Sequence, residues 1–495
     1  MKRNRVLVAL AVLAAVLAVV GCGPKQAAST VPGAPKLKAV TLNLMYPDEG
    51  VKCYPGVLEA TMKKLKADGF NFKLTMTSIP YDNYYDKLYL VEAAGEDLDI
   101  CWVHGNQIAG YIAKNLLAAL NEPLKNFAPD ISANTPQYIW DAVTVNGNIF
   151  AIPRVVPAAQ NDWMEIIRAD LRKKYGLAPI TTISEYEQYL AALKKNEPQM
   201  VPCWTGTREI LHAYTPTYYY MESGVYVDLT DPELKAKNFY ATPAYKAICD
   251  RIYEWVQKGY RPKDAAAINN DPASSFTSGK LGACDSNLFW PTEQIESLTT
   301  NVPGGQMENV FFNPKDPKYI LIPIDNCSAV FNHSKKLNES VAFLNWVRHS
   351  QENYDLWSYG VNGVNFNLMP DGTYNYDGIS PENKFISMVW MWTDLRFHRY
   401  HSKLDPAYVQ VIKHWDDDAI LSPLSGLQFD KSVYKDLMAA KNTVVQEYNA
   451  PMEAGLIRYD AKKDEMLRKH KEAGLDQIIA EIQKQIDAWV AAKKK

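Results

Sequence analysis

The sequence predicts an α/β protein with more than one lobe, and three observations carry that reading. Segments with strand and helix periodicity alternate at the start of the body: Val40 to Met45, Pro55 to Asp68, Phe70 to Met76, Asp82 to Ala94 and Asp99 to Val103. A length of 495 residues suggests two to four domains or lobes. Hydrophobic residues at 47% and charged residues at 22% describe a globular chain, not a disordered or fibrous one.

The first strand, Val40 to Met45, follows a segment of different character. Lys2, Arg3 and Arg5 precede an apolar run from Val6 to Val20, which is 15 residues, the length of a signal-peptide core and short for a membrane span. It ends in Gly21-Cys22, which resembles the bacterial lipobox, so residues 1–21 are expected to be a signal peptide and Cys22 the lipidated residue. Residues 22–38, rich in Gly, Pro, Ala, Ser and Thr, are expected to tether the body to the outer face of the cytoplasmic membrane.

After the strand at Asp99 to Val103 come His104-Gly105-Asn106, worth weighing because open α/β sheets bind ligands beyond the carboxyl ends of their strands. Asn148 to Arg154 reads as a strand closed by Pro153 and as a crossing between lobes, and Tyr319 to Pro323 as a second crossing. Thr182 to Lys195 reads as a helix capped by Ser184, with Glu185 and Glu187 in its first turn. Ala244 to Lys258 and Ser334 to Arg348 are amphipathic. Asp371-Gly372 and Asp377-Gly378 flank a hairpin, and Ala461 to Lys495 is helical, with Leu475, Ile478, Ile482 and Ile486 at helical spacing.

Composition narrows function. Lys plus Arg is 53 against 56 for Asp plus Glu, a net charge of −3 that offers no excess of cations to phosphates, so nucleic acid is not expected as a partner. The 30 Tyr suit wet recognition surfaces as well as cores. Cys53, Cys101, Cys203, Cys249, Cys284 and Cys327 contain no CxxC pair, and six cysteines allow 15 pairings among which sequence does not choose. No GxSxG elbow, HExxH helix or GKS/GKT loop occurs, and His398/His401 and the aspartates near Asp371 and Asp416 lack the remaining ligands of a metal site; no catalytic residue, metal ligand or cofactor is assigned.

Several motifs in order carry a resemblance. Tyr81-Asp82-Asn83-Tyr84-Tyr85, Leu98-Asp99-Ile100-Cys101-Trp102-Val103, Ile167-Arg168-Ala169-Asp170, Gly279-Lys280-Leu281-Gly282, Tyr359-Gly360-Val361-Asn362-Gly363 and the tail around Ala473-Gly474-Leu475-Asp476 follow one pattern. It resembles the extracellular solute-binding proteins of carbohydrate ABC importers (family 1 type), in particular a Gram-positive lipoprotein branch. Trp102 to Leu117 is also similar to the maltose-binding proteins. The resemblance implies a type II periplasmic-binding fold with two lobes, a hinge and an interlobe ligand cleft. It implies an N-terminal lobe of residues 39–152 plus about 323–370 and a C-terminal lobe of 153–322 plus about 371–495. It further implies a monomer that binds an oligosaccharide, partners an ABC permease and has no enzymatic activity.

A sugar needs aromatic platforms for its C–H faces and polar side chains for its hydroxyls. Trp102, at a strand end, is the first platform candidate on the resemblance, with His104 and Asn106 beside it; Gly105 and Asn106 stand where the maltose-binding proteins carry charges, so maltose itself is not implied. Asn287 and Trp290 follow the Gly279 to Cys284 turn, Asp162 and Trp163 follow the first crossing, and Trp204 with Arg208 lies in a loop of the other lobe. Asp82, next to Tyr81 before a helix, is a candidate contact whose plainer reading is a helix cap. Trp390 and Trp392 read as a core stripe. The rival readings are a surface glycoside hydrolase and a glycan-binding or sensing lipoprotein without transport.

Overall fold

The computed structural model describes residues 33–48, 51–159, 164–221, 224–263, 271–386, 389–427 and 429–493. Cys22, the tether up to 32, Asp162 and Trp163 lie outside the described residues. In chain order, the elements used below are β1 (Val40–Pro47), α1 (Tyr54–Ala67), β2 (Phe72–Ile79), α2 (Tyr81–Ala94), β3 (Ile100–His104), β4 (Ile152–Pro153), β5 (Met164–Arg168), α3 (Ile183–Asn196) and α4 (Pro243–Gln257). They continue with β6 (Ala283–Ser286), α5 (Trp290–Asn301), β7 (Met307–Val310), β8 (Asn326–Val330), α6 (Pro406–Lys413), α7 (Tyr459–Glu472) and α8 (Leu475–Lys493).

The first sheet has the order β2-β1-β3-β8-β4. β1 pairs in parallel with β2 from Val40↔Phe72 to Pro47↔Ile79, and with β3 at Leu44↔Ile100. β8 runs antiparallel to both β3 and β4. The early strands and helices lie close to where periodicity puts them, and Pro55 sits in the first turn of α1, where its missing N–H costs nothing. Asp99 fixes the start of β3. Its buried carboxylate accepts from Asn43 N at 2.8 Å, Ser334 Oγ at 2.6 Å and Lys336 Nζ at 2.9 Å, tying β1, β3 and the chain after β8 into one register.

The second sheet, β6-β5-β7, is antiparallel throughout. Ile167 and Ala283 face a large core with α3, α4 and α8, while Ile166, Cys284 and Ile295 form a smaller core on the other face. The cap of α3 is Thr182, not Ser184: Thr182 Oγ1 accepts from Glu185 N at 3.2 Å and the Glu185 carboxylate accepts from Thr182 N at 3.0 Å. The C-terminal helix divides into α7 and α8 at Gly474, whose φ of +89° ends the first helix without a Cβ penalty. Leu475, Ile478, Ile482 and Ile486 then bury as their spacing predicts.

The first core runs further along the chain than 370. Tyr374, Tyr376, Met391 and Trp392 all belong to it, and Trp392 Nε1 donates to Ser358 Oγ at 3.0 Å. The Asp371 turn therefore folds back on the first core instead of leaving it. The chain lies beside the first crossing at 393–395, where Val155 N donates to Thr393 O and Leu395 N to Val155 O, both at 2.9 Å, and it stays against the first core as far as 402, since Tyr374 N donates to Tyr400 O at 3.0 Å and Ser402 N to Tyr374 O at 2.8 Å. Three extended segments thus run side by side between the cores, because Arg154 N also donates to Asn326 O at 3.0 Å and Ala159 pairs antiparallel with Ile320.

The six cysteines named above are free thiols, all but Cys53 buried. His401 is buried, with its ring against Tyr374. Among the described residues no helix is long and apolar enough to cross a membrane.

Replacing Asp99 by Ala takes the carboxylate from Asn43 N and Ser334 Oγ at the base of the first sheet and leaves Lys336 paired with Asp97 alone. It is expected to lower the urea midpoint by the equivalent of about 3 kcal/mol. A shift under 0.5 kcal/mol (roughly the size of an ordinary surface substitution) removes Asp99 from that role.

Candidate functional site

Because β1, β2 and β3 are parallel, their carboxyl ends share one edge of the first sheet. β4 runs the same way as β3, so Arg154 after it and Asp325 before β8 reach that edge too. Tyr81 and Asp82 open α2 just beyond β2. His104 closes β3, and its Nδ1 accepts from Asn106 N at 3.3 Å, capping the short turn Gly105–Gln107. A Cβ at Gly105 would lie 2.9 Å from the Ile324 carbonyl oxygen, so only glycine lets the end of β3 pass this close to the second crossing. Asn106 and Asp82 are exposed, Asp82 as the acid in the first turn of α2.

Trp102 has no exposed surface. Its Nε1 donates to Asn326 Oδ1 at 3.0 Å, and its ring is enclosed by Tyr81, Tyr84, Tyr85 and Trp390 at centroid distances of 5.8, 5.4, 5.6 and 5.5 Å. The expected platform is a support, because α2 lays its tyrosines over it. The reachable aromatic surface is Tyr81, 42% exposed, and the half-buried Trp390, whose rings lie 6.2 Å apart.

On the second sheet, Ser286, Met164 and Val310 end or begin their strands at the edge nearest the crossings. Asn287 follows Ser286 and spends its Oδ1 on the backbone N–H groups of Phe289 and Trp290, at 2.8 and 2.9 Å, fixing the start of α5. Trp290 is half-buried against Phe276 at 5.7 Å. Trp204 is also half-buried, and its N–H bonds to Ala283 O at 2.9 Å, which holds the 201–209 loop beside β6. Arg208 is exposed on that loop. The structure therefore groups Asp82, Trp102, His104 and Asn106 on one edge and Trp204, Arg208, Asn287 and Trp290 on the other.

The two edges meet at Arg154. Its Nε donates to Asp325 Oδ1 at 2.7 Å, its Nη2 pairs with Asp325 Oδ2, and its Nη1 donates to Trp390 O at 2.9 Å. The guanidinium also lies 5.9 Å from the centroid of Phe289, on the second lobe's edge. Burial pushes the Asp325 carboxyl up, but the charge and hydrogen bonds of Arg154 outweigh it and hold it below the ordinary range. Glu293, one turn into α5, is an exposed residue overall, yet desolvation by the protein around its carboxyl pushes that group up to about 7 against a smaller opposing pull from Arg154. The ring of His398 lies 5.9 Å from Phe289, and burial lowers it to about 4, so it is neutral at pH 7.

Sequence reasoning passed over Arg154, Asp325, Phe289 and Glu293, and read Trp390 as core. Arg154 carried a signal, a lone cation directly after a strand closed by proline; Asp325 and Glu293 carried none.

A cavity of about 950 Å³ lies between α1 and the amino-terminal ends of β1 and β2, the sheet edge opposite the crossings. A smaller one, about 350 Å³, lies in the second lobe near the crossings, lined by Met164, Glu209, His212, Phe311, Asn313 and Trp415 among others. Glu165, next to Met164, is fully buried; its Oε1 accepts from Tyr186 OH at 2.9 Å and Thr205 Oγ1 at 2.8 Å.

Residues 60–367 match the family described as bacterial extracellular solute-binding protein, and residues 423–491 match a domain of unknown function, DUF3502. A carbohydrate ABC transporter substrate-binding protein of Streptococcus pneumoniae serotype 4 (strain ATCC BAA-334 / TIGR4) is 23% identical over 445 residues, 88% of each chain. Lipoprotein LipO of Bacillus subtilis (strain 168) is 23% identical over 391 residues, 73% of each. The crystal structure of the N-glycan transport solute binding protein NgtS from Streptococcus pneumoniae matches with a TM-score of 0.77 at 19% identity, covering 92% of this chain and 99% of its own.

Glu293 yields a pH prediction. A carboxyl raised from 4.5 to about 7 contributes stability that is fully present below the unfolded value and lost as pH rises through the folded one. Wild type is therefore expected to lose on the order of 1 kcal/mol relative to Glu293→Gln between pH 5 and pH 8, the figure reduced for the solvent exposure of the residue. Urea midpoints measured across that range test it; parallel profiles refute it.

Proposed function

The chain belongs to the bacterial extracellular solute-binding protein family, and on that basis we propose that it captures an oligosaccharide between its two lobes for an ABC importer. The observation that carries this reading is the aromatic wall of Tyr81 and Trp390 over Trp102, set where three chain crossings join the lobes. Stacked aromatic faces suit sugar C–H surfaces, and the exposed Asp82, Asn106 and Arg208 offer acceptors and donors for hydroxyls. Trp204 and Trp290 are the corresponding aromatics of the second lobe.

Capture works by population shift. A cargo that touches both walls binds the closed arrangement better than the open one, and only that difference moves the equilibrium. The crossings, few and extended, allow the lobes to rotate while each core stays intact. The closed form would then dock on the permease, with Cys22 as the lipid anchor at the outer face of the cytoplasmic membrane and the protein acting as a monomer. Carbohydrate capture is also the function named for the Streptococcus pneumoniae relative, and the Bacillus subtilis relative is named a lipoprotein. A glycoside hydrolase would need two carboxyls flanking a scissile bond, roughly 5 to 9.5 Å apart; membership of a solute-binding family weighs against that rival.

Calorimetry of the soluble body against plant and microbial oligosaccharides tests capture. For a glycan that binds, Tyr81→Ala and Trp390→Ala are each expected to weaken affinity about tenfold, equivalent to about 1.4 kcal/mol, Tyr81→Ala with thermal stability nearly unchanged and Trp390→Ala with a modest loss from its packing on Trp102. Trp102→Ala is expected to lower stability as well, since it empties a packed position. Unchanged affinity in both surface variants would remove the wall from the site.

A further inference from the structure

We propose that Glu296 is an interlobe clasp: a carboxylate of the second lobe seated in a cationic socket of the first, biasing the lobes toward the arrangement seen here. The inference shares with the capture reading above the premise that the lobes rotate about the crossings, and it needs no cargo.

Glu296 belongs to the second lobe. It lies on α5, whose Ile295 and Leu298 bury in the smaller core of the second sheet. Its partners belong to the first lobe. Lys384 precedes Phe385, which packs on Tyr54 and Val57 of α1, and the Lys384 carbonyl accepts from Cys53 Sγ at 3.6 Å. His401 and Lys403 flank the backbone bonds by which Tyr374 holds Tyr400 and Ser402, and Tyr374 is part of the first core.

The first lobe shapes the socket with its own side chains. The Lys384 ammonium lies 5.5 Å from the centroid of the Tyr376 ring, and Lys403 Nζ lies 4.0 Å from Asp377, so each cation is steered from its own side of the junction. The His401 ring packs on Tyr374 at 5.2 Å and Tyr376 at 6.3 Å. Into this group Glu296 places one oxygen 2.8 Å from Lys384 Nζ, and the other 3.2 Å from Lys403 Nζ and 3.3 Å from His401 Nε2. Lys403 Nζ also donates to Thr299 Oγ1 at 3.3 Å, three residues further along α5.

The Glu296 side chain is 14% exposed, against 23% for Lys384 and 36% for Lys403. Charges withdrawn from water to that degree are screened less than a surface pair, and they are intolerant of losing a partner. A rotation that carries α5 away from Lys384 and Lys403 breaks both ion pairs at once. Cargo affinity scales with the fraction of molecules in the binding-competent arrangement, so a clasp that biases the lobe angle also sets affinity.

Single-molecule energy transfer on the chain from residue 22 tests this. Dyes sit on Lys125→Cys, beside Leu124 of the first core, and on Lys235→Cys, beside Leu234 of the second. Cys22→Ser and Cys53→Ser remove the thiols that are not buried. Without cargo, wild type is expected to show one dominant interlobe distance. Glu296→Gln, which keeps the shape and removes the charge, is expected to enlarge the minor population at least threefold, and Lys384→Gln with Lys403→Gln to do the same. Combining all three changes is expected to give less than half of the sum of the separate effects, as for partners in one interaction. The lysines lie at the surface of their lobe, which keeps one arm readable if Glu296→Gln unfolds. Distributions that superimpose on wild type overturn the clasp, and so do effects that simply add. Glycan calorimetry reads capture separately: a clasp seen in the distances with no glycan bound overturns the capture reading alone.

Discussion

The arrangement depends on the ion pair between Arg154 and Asp325. It joins the first crossing to the second, and the same guanidinium reaches the carbonyl of Trp390 just before the third and lies by Phe289 on the other lobe. Its side chain is 9% exposed and that of Asp325 34%, so the charges are largely withdrawn from water. Such pairs add little net stability, because desolvation offsets attraction, but they are intolerant of losing one partner. What the pair supplies here is direction: a planar fork with fixed donors sets how three short extended segments lie beside one another.

That constraint explains where rigidity and freedom fall. Each lobe has its own core, and Asp99 and the β1–β2 register lock the first sheet. Between the lobes the contacts are of another kind: a small apolar group, Leu288, Phe289, Tyr400, Leu404 and Ile412, with ion pairs at its margin such as Glu296 with Lys384. Interfaces of modest area with polar edges are where domains move relative to one another. In the proposed capture, closure would therefore reorganise side-chain contacts while the backbone bonds among the crossings hold.

Much of the fold was legible because the relevant physics is local. Periodicity located β1 to β3 and the apolar face of α8 within a few residues. Thr182 and Ser184 both present a hydroxyl near the start of α3, and only the backbone decides that the first of them is the cap. The Asp371 turn looked like domain punctuation, yet Tyr374 and Tyr376 beyond it pack into the first core, a long-range contact that no turn dipeptide announces. The site was less legible for the same reason. A strand end places Trp102 at the carboxyl-end edge of the first sheet, but whether its ring meets solvent depends on the placement of a helix that begins at Tyr81.

Burial of Trp102 suits a binding wall better than exposure would. An exposed indole on a strand end keeps rotamer freedom that a ligand must pay to remove. With Trp102 locked by Asn326 and by three tyrosines of α2, the rings above it rest on a fixed base. Asn326 is also the first residue of β8, directly after Asp325 on the second crossing. The proposed wall and the crossings are thus joined through one side-chain bond, so in the proposed capture a contact on Tyr81 or Trp390 would bear directly on the segments between the two cores.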